Sequence, residues 1–559
     1  MAPISWTSTP PLRARDPAAG AGAERGDQVK AELVVLNGTI YTMNPDQPTA
    51  EALAIAGGRI VAVGDAASVH TCVGPQTQTL DLRQAIAIPG LTDSHLHFVS
   101  FGLSLERVNL AGAASPSEVA SRVGPRAQAL PPGAWVRGRG WDRNLWTPPD
   151  LPTRQVLDAV ASEHPVALVS KDGHALWVNS AALRELGIDS ATADPPGGRI
   201  LRDERTGQPT GILLEEAAGM ALDRIETPSP QELRRAAMAA TAEAHRRGLT
   251  SVHDCEGPEA LAALLDLRRE GTLALRVYML IPRDNLDAAI RLGVQTGLGD
   301  EWLRLGHLKL FADGALGSRT ADMLEPYEGE PENRGVEVLD SDALQAIVER
   351  ASQAGIAPAV HAIGDRANRR VLDVYAQTRP LWASRGLRPR IEHAQLLTPF
   401  DLPRLGELGV IASMQPIHAT SDMDMATAYW GARSAGGYAW HSLLQAGTVL
   451  AFGSDCPVES LDPLAGIYAA VTRQRPDGSP PGGWQPQERI TAYQAVRAYT
   501  WGAAYASGEE GIKGSLEPGK LGDLVVLSDD VFRASPETLR QTEVVATVCG
   551  GRIVYSAMG

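Results

Sequence analysis

The segment Ile88-Pro-Gly-Leu-Thr-Asp-Ser-His-Leu-His97 predicts the first strand of the fold. It is a short apolar run that ends in two histidines, His95 and His97, spaced two residues apart. Because residues i and i+2 of a β-strand point to the same side, both imidazoles can aim at one point. Two converging imidazoles make half of a metal site, so the stretch predicts a strand that carries metal ligands.

Seven further apolar runs follow this strand, and helical patterns separate most of them. Eight strands joined by helical crossovers predict an α/β fold of the (β/α)₈ TIM-like barrel type. The eight predicted strands begin at Ile88, Leu249, Leu275, His307, Ala357, Pro389, Val410 and Thr448.

The two ends of the chain have a different pattern, with short strand-like runs separated by glycine-containing turns. Residues 29–88 and 514–559 therefore predict one composite β domain, a small β-sandwich built from both chain ends. Residues 89–513 are the predicted barrel, and the long gap between its first two strands, about 101–230, predicts an inserted subdomain. The Pro-, Ala- and Gly-rich residues 1–28 predict a disordered tail.

Composition limits the partners and the compartment. The 559 residues include 66 acidic and 51 basic side chains, for a net charge of −15. This charge disfavours nucleic acid and anionic membranes and favours a small-molecule substrate. The four cysteines lie far apart, and no apolar run is long enough to span a membrane, so a reducing cytoplasm is expected.

Ionisable residues stand in or at the ends of later predicted strands as well. Lys309 lies in the fourth strand, His361 and His393 close the fifth and sixth, and Asp455 closes the eighth. The carboxyl ends of barrel strands converge on one face, where catalytic groups gather. A lone histidine on an apolar strand is most often a core residue, but four with an aspartate predict a metal-dependent site.

Several motifs share one resemblance. In addition to the first-strand motif at Ile88–His97, these motifs are Ser170-Lys-Asp-Gly-His-Ala-Leu-Trp-Val-Asn-Ser, Leu308-Lys-Leu-Phe-Ala-Asp-Gly-Ala-Leu-Gly-Ser-Arg-Thr, Val360-His-Ala-Ile-Gly-Asp-Arg-Ala-Asn, Arg390-Ile-Glu-His-Ala-Gln, Ala412-Ser-Met-Gln-Pro, Phe452-Gly-Ser-Asp-Cys-Pro-Val-Glu and Leu516-Glu-Pro-Gly-Lys-Leu-Gly-Asp-Leu. Together they resemble the amidohydrolase superfamily, in particular its YtcJ-like branch, which includes the N-substituted formamide deformylases. The resemblance runs from about residue 31 to the C-terminus. It indicates the fold and the reaction class and gives little information about the substrate.

The resemblance implies a metal centre with ligands from five strand-end residues: His95, His97 and Asp455 at one ion, and His361 and His393 at a second. Lys309 is expected to bridge the ions after carboxylation of its amine. An ammonium has no free lone pair, whereas a carbamate offers two oxygens. Zinc is the expected metal, with one or two ions per chain and two favoured, and other divalent metals stay open.

The resemblance also implies the reaction. A metal-activated hydroxide would hydrolyse a carbon–nitrogen amide-type bond of a small molecule, with an N-formyl or short N-acyl amine favoured. Asp455 is expected to move the proton to the leaving amine. Asp172 and His174, in the Lys-Asp-Gly-His motif, are further predicted catalytic residues, with His174 at the substrate carbonyl.

Three residues are predicted to contact the substrate. Asp313 and Arg319 follow the Lys309 strand in a loop region where barrels build specificity. Trp177 is a candidate for an apolar pocket wall. Glu392 precedes a predicted ligand on its strand and is expected to point away from the metals.

Alternative functions stay open at this point. The same site could deaminate a substrate, open a cyclic amide or imide, or act as a metal-assisted lyase. A catalytically dead barrel that only binds is disfavoured, because the predicted ligand set is complete. Relatives suggest a homodimer, and the sequence leaves the oligomeric state open.

Overall fold

The computed structural model describes residues 30–148, 151–171, 175–225 and 228–557, so the predicted tail at 1–28 lies outside the described residues. Eight parallel strands form a nearly closed barrel, which confirms the predicted fold class. In chain order they are β1 Leu91–Leu96, β2 Leu249–Asp254, β3 Arg276–Pro282, β4 Leu303–Phe311, β5 Pro358–Ala362, β6 Arg390–His393, β7 Ile411–Met414 and β8 Leu450–Phe452. Most of their side chains are buried, as expected for parallel strands that are covered on both faces.

Backbone hydrogen bonds beyond the strand ends join β8 to β1. The Asp455 amide donates to the His95 carbonyl at 2.7 Å, and the His97 amide donates to the Cys456 carbonyl at 2.8 Å. A Cβ atom on Gly453 would lie only 2.5 Å from the His95 nitrogen, so a residue without a side chain is needed there. These hydrogen bonds place His95 and His97 beside Asp455.

Helices connect the barrel strands. The four longest are Pro230–Arg246, Pro258–Arg269, Ser341–Gln353 and Asp365–Ala383, and the shorter ones are Leu286–Arg291, Leu402–Leu408, Pro416–Ser421, Met423–Trp430, Trp440–Gln445, Pro463–Thr472, Ala492–Arg497 and Ala503–Ala506. A short strand, Leu298–Gly299, pairs with the start of β4. Within the described ranges no helix combines the length and apolarity that a bilayer crossing requires.

Both chain ends contribute to one pair of sheets with a shared apolar core. One sheet has the order Arg59–Gly64, Ala52–Ala56, Leu33–Leu36, Gln78–Asp81. The other has the order Arg552–Ser556, Val544–Cys549, Leu524–Leu527, Ile86–Pro89, Thr39–Tyr41, Thr49–Ala50. Strand Ile86–Pro89 ends one residue before β1, so the chain passes from this sheet into the barrel at Gly90. The N-terminal and C-terminal parts of the chain that form these sheets also contain two short helices, Ala66–His70 and Pro536–Gln541.

The segment between β1 and β2 contains a third sheet. Its strands have the order Gly198–Arg202, Pro209–Glu215, Ala175–Val178, Val166–Ser170, Val136–Trp141, Val108–Asn109. The helices of the segment are Pro116–Ala129, Arg154–Ala161, Ser180–Glu185 and Glu216–Arg224, preceded by Phe98–Leu105, which packs in the barrel core. Trp141, Trp146 and Trp177 form part of the core of the inserted sheet. The predicted boundaries of the insert and of the composite domain stay predictions.

Candidate metal centre

Three histidine side chains surround the carboxylate of Asp455 at the end of β8. The Nε2 atoms of His95 and His97 lie 3.6 and 3.5 Å from Asp455 Oδ1. The Nε2 atom of His418 lies 3.8 Å from the other oxygen, Oδ2. Asp455 has a left-handed backbone, with φ of 59°, which is uncommon for a residue other than glycine.

Two more histidines extend this cluster. The His393 ring lies 4.8 Å from the His95 ring and 4.5 Å from the His361 ring, measured between centroids. Among the described residues, two sets have ligand atoms close enough for a shared metal ion: His95, His97 and Asp455, and His393, His418 and Asp455. His361 and Lys309 lie outside both sets, although His361 contacts His393.

Three histidines of the cluster, His95, His361 and His393, have lowered pKa values. Burial lowers the pKa of His95, and the charge of Lys309 lowers it further. The same two causes lower the pKa of His361 to about 3. Burial, followed by the neighbouring His361, holds the pKa of His393 well below its usual value. Neutral imidazole is the form that binds metal ions.

Hydrogen-bond partners define which ring nitrogen carries the lone pair. His95 Nδ1 is 2.6 Å from a Glu392 oxygen, and His393 Nδ1 is 2.8 Å from the Gln415 side-chain oxygen. His361 uses the other nitrogen, since its Nε2 is 2.9 Å from the Gly314 carbonyl. Each nitrogen that faces an oxygen acceptor carries the proton, which leaves the lone pair on the opposite nitrogen.

Glu392 lies inside the barrel, where alternation along the strand would not place it, and it contacts His95 at Nδ1, the ring nitrogen opposite the Nε2 atom near Asp455. Its carboxylate accepts from His95 and forms an ion pair with Arg390, at 2.8 Å between Nε and Oε1. Burial would raise the pKa of Glu392, but the Arg390 charge and the His95 hydrogen bond hold it well below the usual value. Glu392 therefore orients the His95 ring as a charged acceptor.

The side chain of Asp455 is ionised in this environment. Burial raises the pKa of Asp455, but the hydrogen bond with His97 and the electrostatic effect of the neighbouring imidazoles outweigh that effect and lower it below the ordinary value. A carboxylate among these imidazoles supplies the negative charge that a cation needs.

Lys309 lies within the barrel on β4, with 4% of its surface exposed. Its Nζ atom has no hydrogen-bond partner among the described residues, and it lies 4.4 Å from the centre of the Phe311 ring. An ammonium buried without an acceptor is costly. The predicted carboxylation of Lys309 stays a prediction.

The three residues predicted to contact the substrate, Asp313, Arg319 and Trp177, lie in three different environments. Asp313 is buried and accepts the backbone amides of Asp322, Ile363 and Gly364 at 2.8–3.0 Å, so it fixes the chain after β4 and β5. Burial raises its pKa to about 7.

Arg319 and Trp177 contact residues outside the histidine cluster. Arg319 pairs with Glu330 and lies over the Tyr429 ring. Trp177 has no exposed surface, and its ring contacts Trp141 with centroids 6.1 Å apart. Roles of these residues in substrate binding stay predictions, and Asp172 and His174 lie outside the described residues.

A cavity of about 730 Å³ lies between the inserted sheet and the barrel. Trp141, Asp142 and Glu215 line it from the insert, Gly317 lines it from the loop after β4, and Met425 lines it from helix Met423–Trp430 after β7. Gly317 is three residues from Gly314, whose carbonyl accepts from His361. The loops that hold the cluster thus also form the cavity wall.

His418 is a site residue that the sequence analysis missed. It lies in helix Pro416–Ser421, directly after β7. The Met-Gln-Pro motif was recognised, and His418 is two residues beyond it. A histidine at that distance from a strand end was the available signal.

The donor set fits a divalent metal ion. Two ligand atoms bound tetrahedrally about 2.1 Å from one zinc ion are about 3.4 Å apart. The separations of 3.5 and 3.6 Å between Asp455 and the first-strand histidines are close to that value. The Nε2 atom of His418 is buried and has no hydrogen-bond partner among the described residues, which also indicates a site that is completed by a further group.

A (β/α)₈ barrel with histidines and an aspartate at its strand ends defines the class of metal-dependent barrel hydrolases. Residues 78–555 match a family model described as the amidohydrolase family, and the chain belongs to this family. The predicted superfamily is therefore confirmed.

Three relatives align with nearly the whole chain. Protein LONG AFTER FAR-RED 3 of Arabidopsis thaliana is 36% identical over 94% of this chain and 92% of its own length. The putative amidohydrolase YtcJ of Bacillus subtilis is 33% identical, with 93% and 98% covered. The N-substituted formamide deformylase of Arthrobacter pascens is 29% identical, with 94% and 99% covered.

A solved structure supports the same class. An uncharacterized metal-dependent hydrolase from Pyrococcus furiosus is 30% identical and has a TM-score of 0.75. The match covers 90% of this chain and 100% of that chain.

Proposed function

We propose that this amidohydrolase cleaves the carbon–nitrogen bond of a small amide, with an N-formyl or short N-acyl amine as its substrate. The observation that carries the proposal is the convergence of histidines on the Asp455 carboxylate at the strand ends. The relative named N-substituted formamide deformylase supports the substrate class, because it aligns with 94% of this chain.

The metal is assigned to the side chains at the strand ends. The ligands assigned to two zinc ions are His95, His97, Asp455, His361, His393 and a carboxylated Lys309. The lone pairs that face away from Glu392, Gln415 and Gly314 support the assignment of three of these histidines. A bound divalent ion lowers the pKa of water and polarises a carbonyl group.

Carboxylation of Lys309 would resolve an electrostatic problem. The buried Nζ atom has no hydrogen-bond acceptor among the described residues, and its charge disfavours any nearby cation. A carbamate replaces that positive charge with two oxygen donors that share one negative charge. Carbon dioxide is therefore a required component of the proposed active protein.

Asp455 moves the proton in this mechanism. Its Oδ1 faces His95 and His97, so Oδ2 is the oxygen that takes a proton from the attacking water and passes it to the leaving nitrogen. Water adds its oxygen to the carbonyl carbon, and the carbon–nitrogen bond breaks. An N-formyl amine then yields formate and a free amine.

The test is a substrate panel on the purified full-length protein with zinc and bicarbonate. The panel contains N-formyl, N-acetyl, cyclic-imide and ureido compounds, and mass spectrometry follows release of the amine. Asp455→Asn is the control, because it keeps the shape of the side chain and removes its charge. Metal content is measured on both proteins.

Release of an amine from N-formyl or N-acetyl compounds by the parent protein, and its loss in Asp455→Asn, is the expected result. Turnover confined to the cyclic imides or the ureido compounds would replace the proposed substrate class. Absence of both turnover and bound metal would refute the assignment of the site.

A further inference from the structure

We propose that Glu256 is a positioning residue for His97, and that it acts by capping the helix that begins directly after this histidine. The inference rests on the proposed function only in that His97 is taken to bind the metal. Glu256 lies two residues beyond the end of β2, and β2 pairs with β1. It therefore reaches the chain after His97 from the neighbouring strand.

The start of this helix lacks a cap of its own. Helix Phe98–Leu105 begins immediately after His97, which occupies the N-cap position. An N-cap side chain usually accepts a backbone amide of the first turn, because these amides have no partner within the helix. The His97 side chain makes no such bond, and its Nε2 atom lies 3.5 Å from Asp455 Oδ1 instead. The amides of the first turn therefore need acceptors from elsewhere in the protein.

The chain at the end of β2 supplies those acceptors. Both carboxyl oxygens of Glu256 accept hydrogen bonds, Oε2 from the Val99 amide and Oε1 from the amide and the hydroxyl of Ser100. A carboxyl oxygen of Asp254 accepts the Phe98 amide at 3.2 Å. Acidic side chains at this end of a helix also interact favourably with the helix dipole. Two side chains thus bind the first three amides of the helix.

The first turn of the helix holds the backbone of His97. The His97 carbonyl accepts from the Phe101 amide at 2.9 Å, and the His97 amide donates to the Cys456 carbonyl at 2.8 Å. Farther along, a Cβ atom on Gly102 would lie 2.0 Å from the Ala236 carbonyl oxygen, so the helix packs closely against the helix before β2. A fixed helix start therefore fixes the direction in which the His97 side chain leaves the backbone.

The ring of His97 depends on its backbone more than the other rings of the cluster do. His95, His361 and His393 each have a ring nitrogen beside an oxygen acceptor, at 2.6–2.9 Å. Within the described residues, the His97 ring makes one polar contact, with Asp455. The His97 side chain is also 37% exposed, compared with 2% for His95. Loss of the helix cap should therefore change the position of this ring.

The test compares two helix caps of the same kind. Glu488 accepts the Ser442 amide at 3.0 Å and the Ser442 hydroxyl at 2.6 Å, the same pair of groups that Glu256 accepts from its serine. The helix that Glu488 caps, Trp440–Gln445, is not preceded by a candidate ligand. Glu256→Ala and Glu488→Ala are therefore a matched pair, and Glu256→Gln keeps one of the two acceptor oxygens. Zinc affinity is measured by competition with a chelating dye, and chemical denaturation of the zinc-free proteins measures their stability.

We expect Glu256→Ala to weaken zinc binding about 10–100-fold, as loss of a group that orients a ligand usually does. Glu256→Gln should lie between the parent protein and Glu256→Ala. Glu488→Ala should lower the denaturation midpoint and keep the zinc affinity of the parent protein. Parent-like zinc affinity in Glu256→Ala would overturn the inference. Equal loss of affinity in Glu256→Ala and Glu488→Ala would also overturn it, because general destabilisation would then explain the effect.

A double-mutant cycle with His97→Ala shows whether Glu256 acts through this histidine. His97→Ala alone should weaken zinc binding, and Glu256→Ala should cause no further loss in that background. Additive losses would show that Glu256 supports the metal site by another route and would contradict the inference. If Glu256→Ala does not fold, the same cycle is measured with Glu256→Gln.

The outcomes separate this inference from the proposed reaction. Zinc affinity requires no turnover, so failure of every compound in the substrate panel would leave this test intact. A parent protein that binds no zinc would refute the metal assignment and this inference together. A parent protein that binds zinc, with an unaffected Glu256→Ala variant, would refute this inference alone.

Discussion

Arg390 and Glu392, two residues apart on β6, form an ion pair that is completely buried inside the barrel. Arg390 also donates to the Ser94 carbonyl and the Ser413 hydroxyl, at 2.7 and 2.9 Å. Glu392 accepts from His95 at 2.6 Å. The pair therefore connects three barrel strands to one of the histidines at the candidate metal centre.

Replacing Glu392 by a neutral residue should lower both the free energy of unfolding and the zinc affinity. Glu392→Gln leaves Arg390 as a buried charge without its counter-ion, which typically costs about 3–5 kcal/mol. It also weakens the acceptor that orients His95, so zinc affinity should fall about 10–100-fold. Chemical denaturation and a zinc competition assay measure the two effects.

The surface pair between Glu118 and Arg122 offers the control. Glu118→Gln removes the same charge from an exposed helix, where screening by water makes ion pairs weak. It should leave both the denaturation midpoint and zinc affinity unchanged. A stable Glu392→Gln protein with parent-like zinc affinity would contradict the role assigned to Glu392.

A second buried pair joins the barrel to the composite β domain. Arg276 on β3 donates to both oxygens of Asp523, at 2.6 and 2.9 Å, and the Gly550 amide donates to one of them at 2.7 Å. Asp523→Asn should destabilise the protein by about 3–5 kcal/mol. Because no described contact joins this pair to a candidate ligand, the zinc content per folded chain should stay at the parent value. A loss of zinc in the folded variant would contradict this separation.

The sequence was sufficient to predict the barrel and most of the histidine cluster. Parallel strands are buried on both faces, so they are continuous apolar runs that stand out from the amphipathic helices. Ligands follow these runs because the carboxyl ends of barrel strands converge. His95, His97 and Asp455 could therefore be placed together from their positions in the chain alone.

Glu392 was misplaced because strict alternation of side chains was assumed along β6. His393 and Ala394 have φ values of 72° and 43°, so the strand pattern breaks at His393. Glu392 consequently contacts His95 inside the barrel, and the ring of His393 also faces the cluster. A left-handed residue at a strand end is not visible in an amino-acid sequence.

His418 was missed for a different reason. It lies on a short helix after β7, where no strand pattern fixes the direction of a side chain. Its place beside Asp455 depends on the packing of its ring against His393 from the neighbouring strand. Tertiary contacts of this kind cannot be predicted from local sequence.

Phe311 should contribute to substrate binding without contributing to metal binding. It ends β4 two residues after Lys309, and 46% of its surface is exposed although its ring lies 5.2 Å from the His361 ring. Covering half of a phenyl ring contributes about 1 kcal/mol, roughly fivefold in kcat/KM. Phe311→Ala should lower kcat/KM by this factor for amides with apolar N-substituents, mainly through KM.

Phe400→Ala is the matched control for that prediction. Phe400 is 70% exposed and lies between Arg369 and Arg404, away from the histidine cluster. Its removal should leave kcat/KM unchanged. Equal KM values for parent protein and Phe311→Ala across a series of N-substituents would exclude contact between this ring and the substrate.

Removal of the metal should destabilise the parent protein, and zinc should restore its stability. A ligand that binds only the folded state stabilises it by RT ln(1 + [L]/Kd), about 4 kcal/mol when free zinc is 1,000 times Kd. Differential scanning calorimetry after treatment with a chelator, and again after zinc is added back, measures this change. In Asp455→Asn the increase on adding zinc should be much smaller, because the carboxylate that lies beside both His95 and His97 is lost. The same increase in both proteins would show that zinc binds elsewhere, and no increase in the parent protein would contradict a metal site at the ends of these strands.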